Sequence, residues 1–173
     1  MTRAAALVLA CLLTCGCGYR LVRHALPETA GACVHFHTLD GGAAYPQVAV
    51  WAGAALRQEI APDLCAPGGA GARLTGTVQA VEQSSAHLML GDVGAEKVGG
   101  RWIARASVSL EQGDKVVWGP VGVEVERDFV STGATLTEQD AFEAHLRLLS
   151  EDLGRAVADV MYGVHPVVIE AAP

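Results

Sequence analysis

Hydrophobic and polar residues alternate with a period of two in four parts of the chain, a pattern typical of β-strands with one buried face. In the first part, Cys33 to Leu39, Val34 and Phe36 fall on the apolar side. Because polar residues fill the opposite sides, we expect a mainly antiparallel sheet with one face in solvent. The other three apolar sides are Leu74, Gly76, Val78 and Ala80; Trp102, Ala104, Ala106, Val108 and Leu110; and Val121, Val123 and Val125.

Two further segments have the spacing of amphipathic helices. Pro46 suits the first turn of a helix, where its missing N–H costs nothing, and apolar residues recur from Val48 to Ile60. The second helix follows two sequences that resemble capping boxes and ends at Gly163. Its apolar stripe is Phe142, Leu146, Leu149, Leu153, Ala156 and Val160. The pattern therefore predicts an α+β, two-layer sandwich, β-α-β-β-β-α, with both helices packed on one face of a four-stranded, mainly antiparallel sheet.

The N-terminal residues are typical of a bacterial lipoprotein signal. Arg3 precedes an uncharged apolar run that is too short to span a bilayer. Gly16 stands directly before Cys17, and in such signals this cysteine is lipidated and becomes the first mature residue. We favour Cys17 because Thr14 would be a poor residue at a cut before Cys15, while Cys15 and an ordinary signal peptide stay open as alternatives. Several acyl chains would hold the protein on a membrane surface.

These boundaries divide the chain into a signal peptide at 1–16, a lipid-anchored tether at 17–31, one domain at 32–163 and a tail at 164–173. Without its first 16 residues, which contain one basic and no acidic residue, the 173-residue chain keeps 157 residues, enough for a single domain. Its 11 basic and 19 acidic residues give a net charge of −8. This balance excludes nucleic acid as the expected partner, since that ligand requires clustered lysine and arginine.

Two cysteines remain in the expected mature domain, Cys33 and Cys65. An even pair in an exported chain indicates a disulfide, and two small buried thiols are the alternative.

No motif of the common hydrolase, metalloprotease or nucleotide-binding types is present, so we expect no catalytic residues and no cofactor. His35 and His37 share one side of a strand, but no cysteine or carboxylate cluster completes a metal site beside them, and we predict none. Glu124 and Glu126 are explained as the solvated side of their strand, pairing with arginines of the neighbouring one. A lipid-anchored domain of this kind is typical of a binding or assembly component, with an enzyme of unrecognised type as the remaining alternative.

Several short motifs together resemble the LptE family of lipopolysaccharide-assembly lipoproteins. They are Gly-Tyr-Arg-Leu after Cys17, the alanine-rich helix, Ala72 to Val78, the strand that ends at Trp118, and the run from Asp128 to Met161. The resemblance implies an outer-membrane lipoprotein of the periplasmic leaflet that plugs the β-barrel of its partner LptD, assists that barrel's folding and binds lipopolysaccharide. Gly18 agrees with this location, because aspartate at that position is the usual signal for retention in the inner membrane.

The polar face of the sheet would meet a polar barrel lumen under this resemblance. Lipopolysaccharide binding in the family is attributed to basic side chains, which are suited to phosphate. The candidates here are Lys97, Arg101, Arg105 and Lys115, with solubilising surface charge as the alternative role. A second hypothesis is a lipid-anchored periplasmic accessory domain that docks or activates an envelope enzyme.

Overall fold

The computed structural model describes residues 26–41, 45–88, 97–131 and 138–164. Within them lie four strands and two α-helices, flanked by short 3-10 helices at Glu28–Ala30 and Ala61–Asp63. The strands and helices, in chain order, are β1 (Val34–Phe36), α1 (Pro46–Glu59), β2 (Ala72–Leu88), β3 (Lys97–Gln112), β4 (Lys115–Ser131) and α2 (Glu138–Met161). The α+β two-layer architecture expected from the sequence is confirmed.

The four strands form one sheet in the order β1-β2-β3-β4. β1 is parallel to β2 because α1 lies between them in the chain, whereas β2, β3 and β4 pair as antiparallel neighbours. β1 is shorter than the expected Cys33 to Leu39 strand, and after it only Asp40 returns to the sheet, in an isolated bridge to Thr77. The sheet is thus long in its three antiparallel strands and short at its parallel edge.

Both helices pack on the same face of the sheet. Leu146, Leu149 and Leu153 of α2 are fully buried against the apolar sides of the strands, as the helical stripe predicted. Trp102 of β3 lies in the core, where its ring packs against that of Phe142 of α2 with a centroid distance of 5.2 Å. Neither helix has an apolar stretch of the length and hydropathy that crossing a bilayer requires.

A β-bulge changes which residues of β2 face the core. Val78 opposes Ala106, but Ala80 opposes Arg105, so one extra residue is inserted in β2 between these pairs. The prediction that Ala80 shares the apolar side of Val78 is therefore wrong. After the bulge Val81 takes the core side, and Ala80 lies on the opposite face.

The domain also includes residues that were assigned to the tether. Ala30 is buried in the core, and Leu26 packs against it. This apolar contact places the start of the packed domain before residue 32. The expected signal peptide, Cys17 and the last nine residues of the tail lie outside the described residues.

The C-terminal end of α2 is fixed by two sets of bonds. Gly163 has φ +68°, and the amides of Gly163 and Val164 donate to the carbonyl oxygens of Val160 and Asp159, which is a Schellman motif. The Tyr162 hydroxyl donates to an Asp63 carboxylate oxygen at 2.6 Å, and burial together with this carboxylate raises the pKa of Tyr162. The helix therefore ends where expected, held against the segment that follows α1.

The two helices meet in backbone contact at Gly154. A Cβ atom added there would lie 2.4 Å from the carbonyl oxygen of Ala52 and 2.8 Å from the Cβ atom of Ala55. Such distances leave no room for a methyl group without a shift of one helix.

We predict that Gly154→Ala lowers the free energy of unfolding by about 2 kcal/mol, because overpacking outweighs the ~1 kcal/mol that alanine gains in a helix. The matched control is Gly53→Ala on α1, where the added Cβ would meet its nearest atom, the Leu39 amide nitrogen, at 3.5 Å. That variant should be as stable as the wild type or slightly more so. Urea unfolding followed by circular dichroism measures both, and a stabilised Gly154→Ala protein would contradict the helix contact.

Cys33 and Cys65 form a disulfide in the structure, across a sequence separation of 32 residues. It joins the residue before β1 to the segment after α1, next to the hydrogen bond from the Cys65 amide to the Val34 carbonyl. The bridge thus closes a loop that contains all of α1.

Replacing both cysteines by alanine should lower the free energy of unfolding by about 3 to 4 kcal/mol. The reason is that the unfolded chain regains the conformational entropy that closure of a loop of this length removes. Wild-type protein treated with dithiothreitol should lose the same amount in urea titrations. If the reductant leaves the midpoint of the wild type unchanged while the double variant is destabilised, the loss comes from packing of the two side chains and not from loop closure.

Candidate binding face of the sheet

The face of the sheet away from the helices, here called the open face, displays the alternate residues of β2, β3 and β4. The strand register places side chains that oppose one another on the same face. The open face consists of Arg73, Thr75, Thr77, Ala80, Glu82 and Ser84 of β2, Arg101, Ile103, Arg105, Ser107, Ser109 and Glu111 of β3, and Gly122, Glu124, Glu126 and Asp128 of β4. Apart from Ala80 and Ile103, it is the polar half of the alternation predicted from the sequence.

Arg101 joins β3 to two carboxylates of β4. Its Nε donates to Asp128 Oδ1 at 2.8 Å, and its Nη1 donates to Glu126 Oε2 at 2.8 Å. The hydrogen bond to Asp128 is the largest cause that raises the pKa of the Arg101 guanidinium. The predicted pairing of a β3 arginine with Glu126 is confirmed.

Arg105 links three strands. Its Nε donates to Glu124 of β4, and its Nη1 donates to Glu82 Oε1 of β2 at 2.8 Å. The bond to Glu124 is the largest cause that raises the pKa of Arg105. Because Arg105 lies at the centre of the sheet, it ties both neighbouring strands to β3 on the solvent side.

We call this group the ion-pair ladder: Arg101, Arg105, Glu82, Glu124, Glu126 and Asp128. It contains two cations and four anions, so its net charge is −2. Each carboxylate uses one oxygen in the four bonds to the arginines. An added phosphate group would be repelled by the four carboxylates that surround the two guanidinium groups.

A shallow depression of about 620 Å³ lies on the same face, towards the β1 edge. Hydroxyl groups dominate its centre, where Thr75 Oγ1 donates to Glu111 Oε1 and lies 3.1 Å from Ser109 Oγ. Its walls are Asp40, Arg73, Thr75, Gly76, Thr77, Gln79, Ser107, Ser109 and Glu111. This lining offers hydrogen bonds to a polar ligand or chain.

The two histidines considered for metal binding have different surroundings. His35 Nε2 lies 2.8 Å from the carbonyl oxygen of Gly69, a contact that holds the glycine-rich loop against β1, and His37 is exposed. Among the described residues, no three histidine, cysteine or acidic side chains are grouped closely enough to hold a metal ion.

The four candidate lipopolysaccharide-binding residues do not form one cluster. Arg101 and Arg105 share the ladder, about 13 Å apart along β3 at the usual rise per residue. Lys115 is exposed at the β3–β4 turn, and Lys97 begins β3 at the opposite end, about 50 Å away by the same measure. Cys17, the lipidation candidate, lies outside the described residues.

Two members of the ladder were missed at the level of sequence. Asp128 continues the alternation of Glu124 and Glu126, so a longer period-two pattern in β4 could have found it. Glu82 follows the bulge in β2, which reverses the sides, and no residue near it signals that reversal.

No protein-family model matches this chain, and no curated protein matches it. Among solved structures, a minor lipoprotein from Acinetobacter baumannii is similar with a TM-score of 0.48 and 12% identity, over 82% of this chain and 98% of that one. Rare lipoprotein B from Shewanella oneidensis is similar with a TM-score of 0.40 and 15% identity, over 75% of this chain and 92% of that one. At these values the likeness does not extend to function.

Proposed function

We propose that this protein is a lipid-anchored outer-membrane lipoprotein of the LptE type, on the periplasmic face. In this role it plugs the barrel of an LptD-like partner and helps to assemble that barrel for transport of lipopolysaccharide to the cell surface. The observation that carries the proposal is the open face, a polar sheet surface whose ion pairs cross three strands. The lumen of such a barrel is polar, so it could face this surface without bringing apolar groups into contact with water.

Further support comes from the sequence. Gly16 and Cys17 have the arrangement of a lipoprotein signal, and Gly18 stands where aspartate would signal retention in the inner membrane. The motifs that resemble LptE cover nearly all of the expected mature chain in the order of its elements. The proposal is for a binding and assembly protein and not for an enzyme. On the open face, Arg101 and Arg105 are bonded to carboxylates of neighbouring strands, which gives these charged groups a structural role.

Binding of lipopolysaccharide is the secondary part of the proposal. Arg101 and Arg105 are engaged by carboxylates, and the exposed Lys115 lies at the far end of the strands from Lys97. Lipid phosphates would therefore meet scattered cations and not a preformed cluster. The partner barrel is the ligand that the open face fits better.

The partner is tested by isolating the tagged lipoprotein from its native outer membrane in mild detergent and identifying the bound proteins by mass spectrometry. We expect a large LptD-like β-barrel in about equal amount, as a plug requires. A matched preparation of an unrelated outer-membrane lipoprotein with the same tag controls for detergent carry-over. Recovery of a peptidoglycan enzyme in place of a barrel would favour the accessory-domain hypothesis instead.

The anchor is tested by replacing each candidate cysteine. Cys17→Ala should abolish incorporation of radiolabelled palmitate and release the protein from the membrane fraction, because two or more acyl chains are needed for stable anchoring. Cys15→Ala should keep both label and membrane association. The reverse result would assign lipidation to Cys15, and label in neither wild type nor variants would leave an ordinary signal peptide.

A further inference from the structure

The centre of the ion-pair ladder is an aliphatic side chain. Ile103 lies on the open face of β3, directly between Glu82 of β2 and Glu126 of β4 in the strand register. It is half-buried, with Arg101 and Arg105 two residues to either side. An apolar centre within a charged rim is the usual arrangement of a protein–protein contact.

The charge of the ladder selects the partner. Two guanidinium groups face four carboxylates, and this excess of negative charge belongs to a chain whose expected mature form carries −8. The side chains of Glu82, Glu126 and Asp128 are 56%, 45% and 72% exposed. A surface of the same sign would be repelled by them, and a surface with lysine and arginine would be attracted.

The bonds between the arginines and the carboxylates of the ladder also favour a cationic partner. Each carboxylate has one oxygen outside the four arginine bonds, and a carboxylate oxygen only accepts hydrogen bonds when it is ionised. Lysine and arginine can therefore add to the ladder without breaking it. A phosphate group would meet the net charge of −2 of the ladder, because the two arginines are outnumbered by the four carboxylates bonded to them.

We propose that the ladder docks a surface rich in lysine and arginine on the lumen wall of the partner barrel, and that it does not bind lipid phosphate. This inference rests on the proposed function and names the part of the chain that makes the contact. The open face acts as a carboxylate surface, with Arg101 and Arg105 fixing the positions of the carboxylates.

The test uses the full-length lipidated protein and two variants of equal charge. Glu126→Gln with Asp128→Asn removes two carboxylates from the ladder, whereas Glu143→Gln with Asp159→Asn removes two from α2, in the helical layer. Exposed ion pairs contribute little to stability, so both proteins should keep the wild-type melting temperature. If the ladder variant does not fold, Glu82→Gln on β2 replaces it.

Barrel recovered per lipoprotein in the detergent isolation at physiological salt is the first readout. The ladder variant should recover about tenfold less barrel than the wild type, and the α2 variant should stay within about twofold. Equal recovery by wild type and both variants overturns the inference and leaves the proposed function standing. No barrel with the wild type overturns both.

Titration of purified lipopolysaccharide into each protein in detergent is the second readout. Removal of carboxylates releases Arg101, so the ladder variant should bind lipopolysaccharide as well as the wild type or about threefold more tightly. If instead the wild type binds it tightly and Arg101→Gln abolishes that binding, the ladder is a phosphate site and the inference is wrong.

Discussion

The contact between the helices at Gly154 decides which side of the sheet is left uncovered. Because α1 and α2 touch through their backbones, they form a layer narrow enough to sit together over one side of the sheet. Trp102, Leu146 and Leu153 fill the space between the layers. With both helices used on that side, the opposite side of three long strands is left to water or to a partner, and most of its residues are polar.

Most of the fold follows from periodicity, since burial on one face imposes it on every element. The stripe in α2 and the alternation in β3 predicted the buried side chains, and Gly163 predicted the end of α2. Two features could not be predicted from the sequence. The bulge in β2 inserts a residue at Gln79 without a glycine or proline to mark it, and β1 pairs with β2 over three residues only, although the alternation that predicted it runs on to Leu39.

The candidate site could be predicted only where it depends on directly opposed residues. Arg105 and Glu124 face each other across one strand pair, so alternation alone brings them together. Glu82 joins them only through the bulge, which shifts β2 by one residue and turns its carboxylate to the open face. Lys97 and Lys115 were candidates because of their charge alone. The length of β3 places them at opposite ends of the sheet.

The ladder also answers a problem that a one-sided sheet creates. A large exposed sheet face with apolar side chains would be prone to association, and charged side chains on that face reduce its apolar area. Arginine performs this role better than lysine, because its planar group can donate to carboxylates on two strands at once, as Arg105 does with Glu82 and Glu124. The same bonds that keep the face soluble also hold its carboxylates in fixed positions. A surface protected in this way can still bind a partner that carries lysine and arginine. We expect its carboxylates to distinguish such a cationic partner from an anionic one.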